Sequence, residues 1–422
     1  MKVICSQSEK QLLNLRGDAK KVLLFARTND GAIGHIGTAV KEILERRKHL
    51  PDPKAWDFVA LALSVFAADQ LIHRNTSSDG WTREIELTVS VADPTFWNSQ
   101  KELIDAAFQF LTTDRWSITF DEATEPLATP KDVSRYVETS VSLLSGGMDS
   151  LIGAVDLAAK NEQALLVSQV ALGDSNKQKA FADALGLTHL QLTHGVALPG
   201  DNEQSTRSRS IVFIAYGVMA ATLLESYEKN GIMLRVPENG FISINPPLTD
   251  ARLGGLSTRT THPVFLHRIQ AILNAAKLTV RLTNPYQFKT KGEMLRDCQD
   301  QAFIRKHVVE STSCGRFVRT GYKHCGRCVP CLVRRSAFLA AGMKDGTVYK
   351  YHDLSKDDND HARFDDVRSA AMAVGMVKID GLAAWIGASL VSSSLGDPTP
   401  YRDTVGRGIE ELGKFLKKAG VK

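Results

Sequence analysis

Apolar residues recur at helical spacing from Ala55 to Ile72, whereas Arg83 to Ala92 (REIELTVSVA) alternates like a half-buried strand and Trp116 to Phe120 repeats that alternation. These patterns predict an α+β region over residues 1–135, closed by a polar, proline-containing linker from Asp121 to Lys131. Nothing in this stretch gathers a nucleophile, a base or a set of metal ligands.

From about residue 136 the pattern changes to strand and helix in alternation. Short apolar strands are predicted at Thr139–Leu144, Gln163–Leu172, His189–Thr193, Ile232–Val236 and Leu278–Leu282. Between them lie helical patterns running on to Ala159, from Lys177 to Leu185, from about Ser208 to Glu228 and from Pro263 to Ala276. Strands separated by helices of this length imply βαβ units and a doubly wound, mostly parallel sheet over residues 136–345, an α/β architecture. Residues 346–422 begin with a charged stretch, Asp353 to Asp366, and continue as a region of amphipathic helices, clearest from Arg407 to Ala419.

Composition adds bounds. At 43% hydrophobic and 23% charged residues over 422 positions, the chain is an ordinary globular protein of two or three domains. A net charge of +5 is too small to argue for a nucleic-acid partner. The longest apolar stretch, Phe58 to Ala68, ends at Asp69, well short of the ~18 residues of a membrane span. No signal-peptide pattern follows the polar start, so a cytoplasmic location is expected. Cysteine usage agrees: four of six cysteines fall within eighteen residues, which in a reducing compartment reads as metal before disulfide.

The sharpest motif is Ser145-Gly146-Gly147-Met148-Asp149-Ser150, placed directly between a predicted strand and a predicted helix. Adjacent glycines let successive backbone N–H groups close around phosphate oxygens, and the helix that starts there aims its positive end at the same anion. Ser145 and Ser150 add hydroxyl donors, and Asp149 is placed to hold Mg²⁺ or to cap the helix. A second glycine motif, Gly408 to Lys414, matches most of a nucleotide-binding loop, but Phe415 stands where a Ser or Thr would bind Mg²⁺ and the segment reads as helix interior.

Cys314, Cys325, Cys328 and Cys331 have the spacing C-x10-C-x2-C-x2-C. Four thiolates complete a tetrahedral Zn²⁺ shell with no open position, so the site is structural, and Arg327, Arg334 and Arg335 offset its negative charge. An Fe–S cluster uses the same ligand type and ranks below zinc. Cys5 and Cys298 sit in no nucleophile setting.

Phosphate loop and cysteine block in this order resemble the 7-cyano-7-deazaguanine synthase family, QueC, whose catalytic fold is that of the PP-loop ATP pyrophosphatases (adenine nucleotide α-hydrolase-like). The likeness runs from about Ser140 to Arg335 and includes Arg209-Ser-Ile-Val-Phe213, Thr290-Lys291-Gly-Glu293 and Ser313-Cys314. It implies ATP-dependent adenylation of a 7-deazaguanine carboxylate followed by attack of an amine, with ATP, Mg²⁺ and Zn²⁺ as cofactors. The residues it implicates are Ser145 to Ser150 and Lys177 around the nucleotide, and Asp149, Arg209 and Lys291 in catalysis, with Arg207 as a further cation near the loop. In two respects the chain departs from the housekeeping enzyme: it is about twice as long, and the loop Pro237 to Pro247, leading to Thr249–Arg252 and Gly254-Gly255, is not the usual one. The long form resembles the QatC component of the Qat anti-phage defence system, which implies a protein partner encoded alongside; because every recognisable catalytic or metal feature lies between Ser140 and Arg335, residues 1–135 and 346–422 are expected to bind that partner. Two other readings remain open: a tRNA-thiolating PP-loop enzyme using Cys298 or Cys5, and a non-catalytic nucleotide-binding scaffold.

Overall fold

The structure is a computed structural model that describes residues 1–123, 127–170, 173–204, 207–249, 259–354 and 366–421, with only the backbone at Ala388 and Ser393. Most of the charged stretch after Asp353, and the segment containing Arg252 and Gly254-Gly255, lie outside the described residues.

Among the described residues, ten strands form two sheets. β1 (Lys2–Ser6), β2 (Lys20–Leu24), β3 (Ile33–Ile36), β4 (Glu84–Val91) and β5 (Arg115–Glu122) lie in the order β3-β2-β1-β4-β5, with every pairing parallel. β6 (Ser140–Leu143), β7 (Ala164–Gln169), β8 (His189–Leu192), β9 (Ile232–Arg235) and β10 (Val280–Thr283) lie in the order β10-β9-β6-β7-β8, again all parallel. The doubly wound α/β expectation for the middle of the chain is met. The N-terminal region is more regular than its α+β expectation: helices such as Thr38–Arg46 and Lys101–Thr112 supply crossovers, and the sheet is α/β in its own right.

Burial follows position. β6 and β7 are buried at every residue, as central strands covered on both faces must be, while the edge strand β5 alternates exposed and buried along most of its length. The helix Pro53–Leu71 is apolar almost all round and buried almost throughout because it lies between layers, packing on β2 and β4 on one side and on the helix Arg209–Ala221 on the other. One buried apolar cluster thus runs from Val3 in the first sheet to Val280 in the second. The helix expected to continue to Glu228 stops at Ala221, because Leu223 and Glu225 turn their backbone groups to Tyr136, each at 2.9 Å.

A buried ionic knot reinforces this seam. Arg83 reaches Asp69 at 2.5 Å and Asp114 at 2.6 Å, and Arg74 reaches Asp114 at 2.9 Å. Asp69 also accepts from the backbone N–H of Arg207 (2.7 Å) and Ser208 (2.8 Å) and from the Ser208 hydroxyl (2.7 Å), so it receives the chain entering the helix Arg209–Ala221.

The C-terminal region is helical as expected, with helices Asp366–Asp380, Leu382–Ile386 and Thr399–Lys418. The glycine motif at 408–414 lies inside the last of these and forms no loop. Among the described residues no helix is long and apolar enough to cross a membrane.

Candidate active site and metal centre

The segment Ser145–Ser150 leaves the carboxyl end of β6, the central strand of its sheet, and opens the helix Met148–Ala159. In doubly wound sheets ligands bind at this edge, where the strand order reverses. Gly146 has φ +87°, a conformation that glycine adopts without strain. Gly147 precedes the first helical turn and supplies no side-chain cap, which leaves that turn's N–H groups to an anion. The two serines brace the loop from within: Ser145 Oγ and Ser150 Oγ are 2.9 Å apart, Ser145 N–H donates to Ser150 Oγ at 3.1 Å, and Gly147 N–H donates to Ser145 Oγ at 3.2 Å. The Gln178 amide holds the outer carbonyl of Ser145 at 3.1 Å.

Asp149 lies in the first helical turn, buried and turned away from the loop. Its Oδ1 is 2.9 Å from Lys291 Nζ, and its Oδ2 accepts from the Asn239 side chain at 2.7 Å and backbone at 3.1 Å. Burial opposes its charge, but Lys291, Glu238 and Asn239 outweigh burial and hold the carboxyl well below the usual range. Glu238 moves the other way, because burial and the neighbouring Asp149 charge push it well above its ordinary value. The pair is thus pushed apart, Asp149 toward its ionised form and Glu238 toward its protonated one. The expectation that Asp149 caps the helix is not met: the helix has no side-chain cap, and the Asp149 oxygens face Lys291 and Asn239.

Glu238 and Asn239 are the residues that reading the sequence missed. They stand just beyond β9, the neighbour of β6, and the Asn284 amide holds the Glu238 carbonyl at 2.8 Å. The available signal was a Pro-Glu-Asn-Gly turn directly after a predicted strand.

Lys177, from the helix Ser175–Leu185, reaches the same edge. Its Nζ donates to Thr312 Oγ1 at 2.7 Å and lies 4.3 Å from the centre of the Phe317 ring, and burial lowers its pKa. Arg209 begins its helix exposed at the carboxyl edge of the sheet, where its charge adds to burial in lowering His194 to about 4. Among the described residues Arg209 has no hydrogen-bond or ion-pair partner. Arg207 is corrected: its guanidinium is buried in the N-terminal region, bonding Thr113 Oγ1 at 2.9 Å and lying 4.9 Å from the centre of the Trp81 ring, so it is a tether between layers.

Thr312 joins the loop to the cysteine cluster. Its N–H donates to Gly146 O at 2.9 Å, and two residues later the chain reaches Cys314. The sulfur atoms of Cys314, Cys325, Cys328 and Cys331 all lie within 4.8 Å of one another, with Cys325–Cys331 and Cys314–Cys328 each at 3.9 Å. A zinc tetrathiolate with Zn–S of about 2.3 Å has edges of about 3.8 Å, so the donor set fits the ion. Backbone N–H groups of Arg316 and Cys325 point at Cys314 Sγ, and that of Cys328 at Cys325 Sγ, each at 3.3 Å, which favours thiolates. Arg334, fully buried, donates to Val308 O (2.8 Å), Ser311 Oγ (2.9 Å) and Ser313 Oγ (3.1 Å), thereby fixing the chain on both sides of Thr312. Arg335 holds the Gly326 and His352 carbonyls. The arginines therefore organise the peptide around the cluster as well as balancing its charge.

No family model matches the chain. It is 28% identical over 240 residues to the 7-cyano-7-deazaguanine synthase of Brucella anthropi, covering 50% of this chain and 93% of that protein. The protein of the same name from Rhizobium etli is 27% identical over 231 residues, covering 51% of this chain and 94% of its own. The Rhizobium leguminosarum protein gives the same identity and coverage. About half of this chain is thus similar to 7-cyano-7-deazaguanine synthases along nearly their entire length.

Proposed function

We propose that this protein uses ATP to adenylate the 7-carboxylate of a 7-deazaguanine and passes the acyl group to an amine. The observation that carries the reading is the convergence at the carboxyl edge of β6: a glycine loop with an uncapped helix behind it, Lys177 braced through Thr312, and Lys291 paired to Asp149. The loop amides would hold the phosphates, and Lys177 and Arg209 are the cations available to the charge that develops as pyrophosphate departs. A carboxylate oxygen attacks the α-phosphorus and the bond to the β-phosphate oxygen breaks, leaving an acyl adenylate and pyrophosphate. The amine then attacks the acyl carbon, AMP leaves with the former carboxylate oxygen, and the nitrogen gives up a proton. A nitrile requires a second ATP to dehydrate the amide. Zinc, held by the four cysteines, would supply structure through Thr312 and no reacting group. Magnesium would arrive with ATP.

The long form's resemblance to QatC supports placing the enzyme in anti-phage defence, with a protein encoded alongside as the source of the amine. Sulfur transfer to tRNA is disfavoured by Cys5 and Cys298, both buried, with thiols pushed up to about 12 chiefly by burial. Incubation with ATP and 7-carboxy-7-deazaguanine, with ammonia or with the neighbouring gene products, followed by mass spectrometry, tests the reading. An amide, a nitrile or a protein adduct formed together with AMP supports it. ATP consumption without an acid-derived product sinks it.

A further inference from the structure

We infer that Arg407 and Glu411 of the C-terminal helix position Lys291, so that the C-terminal region completes the site. Lys291 is the first residue of the short helix Lys291–Arg296, and its direction is set by the turn that precedes it. That turn is a capping box: Glu293 N–H donates to Thr290 Oγ1 at 3.1 Å, and Thr290 N–H donates to Glu293 Oε2 at 2.9 Å. An isolated box on a six-residue helix holds weakly. Here the helix Thr399–Lys418 grips both members. Arg407 Nε donates to Glu293 Oε1 at 2.6 Å and its Nη2 to the Phe288 carbonyl at 2.8 Å, while the Thr290 hydroxyl donates to Glu411 Oε1. Arg407 and Glu411 are four residues apart and so share one helical face. Between them the backbone at Gly292 leaves no room: an added Cβ would lie 2.6 Å from Glu411 Oε1 and 2.7 Å from Ala340 Cβ. The Lys291 turn is therefore pressed between the helix that carries the last zinc ligand, Val329–Ala340, and the C-terminal helix. Removing the grip frees the turn to fray and Lys291 to leave Asp149.

Only the kinetic arm of the test rests on the adenylation reading. In the full-length protein, brief acetic anhydride labelling with peptide mass spectrometry reads the acylation of Lys291 against Lys177. Arg407→Ala and Glu411→Ala are expected to speed Lys291 acylation about tenfold relative to Lys177 at temperatures below unfolding. Glu411→Gln, which keeps an acceptor for Thr290, is expected to stay near wild type. In turnover, Arg407→Ala should lower kcat for AMP formation about tenfold with KM for ATP changed less than about twofold. General loosening would raise both lysines together and overturn the inference, as would unchanged Lys291 labelling in both alanine variants. If one variant fails to fold, the other decides. A wild-type protein that forms no AMP would remove the adenylation reading and leave the labelling to judge the clamp.

Discussion

The two sheets of this protein have the same topology. In each, the first strand in sequence lies at the centre, the next two follow on one side and the last two on the other. Both therefore have a reversal of strand order beside the central strand, the place where such sheets bind ligands. What differs is the turn. After β1, Ser8 caps its own six-residue helix by accepting from Gln11 N–H at 3.3 Å, and Ser6 Oγ accepts from Ser8 N–H at 3.0 Å, so the turn satisfies itself. After β6 a glycine at positive φ leads into an uncapped helix, with Lys177 nearby and Thr312, two residues before the four-cysteine cluster, bonded to the loop. On the proposed function, the capacity to hold an anion lies in a few residues of one turn, and the sheet topology beneath it is common to both.

Changing the turns themselves tests that contrast hardest. In Gly147→Val, the new Cβ would sit 3.2 Å from both Ser145 Oγ and Thr312 O, and the branched side chain would intrude where backbone must approach phosphate. Turnover of ATP to AMP should fall on the order of a thousandfold while circular dichroism remains native. Unchanged turnover would refute the assignment of the loop. Next in size is Cys325→Ser. Elemental analysis should fall from about one zinc per chain to almost none, and the thermal midpoint should drop on the order of 10 °C. Activity should decline with that loss of stability because Thr312 is no longer fixed. A stable, active, metal-free preparation would detach the cluster from the loop. The smallest effect belongs to the other sheet: Ser8→Ala should cost about 1 kcal/mol of stability in denaturant unfolding and leave AMP formation unchanged.

The sequence made legible what is contiguous in it. The glycine loop and the cysteine spacing each occupy one short window, as does each strand from β6 to β10, and these lie close to where the pattern puts them, although the helix expected to reach Glu228 ends at Ala221. Parallel pairing is not local. β1, β2 and β3 are only four or five residues long, β1 and β2 begin with exposed lysines, and recognising β4 and β5 alone suggests α+β. Asp149 and Asn239 are ninety residues apart and meet only because β6 and β9 are neighbours, which no spacing rule reveals. Arg207 failed as a site cation for a related reason: Asp69, from a region with no catalytic pattern, claims its backbone, while Thr112 and Thr113 claim its side chain.

The central claim is that the glycine loop serves acyl adenylation, and isotope transfer tests it most directly. With 7-carboxy-7-deazaguanine labelled with ¹⁸O in both carboxylate oxygens, one label should pass to the phosphate of AMP for each acyl group transferred, because the C–O bond breaks when the amine attacks. The account predicts AMP carrying a single ¹⁸O, in amount equal to an amide or protein adduct and in twice the amount of a nitrile, whose dehydration passes the second label to a second AMP. AMP without label, or ADP in its place, would contradict it.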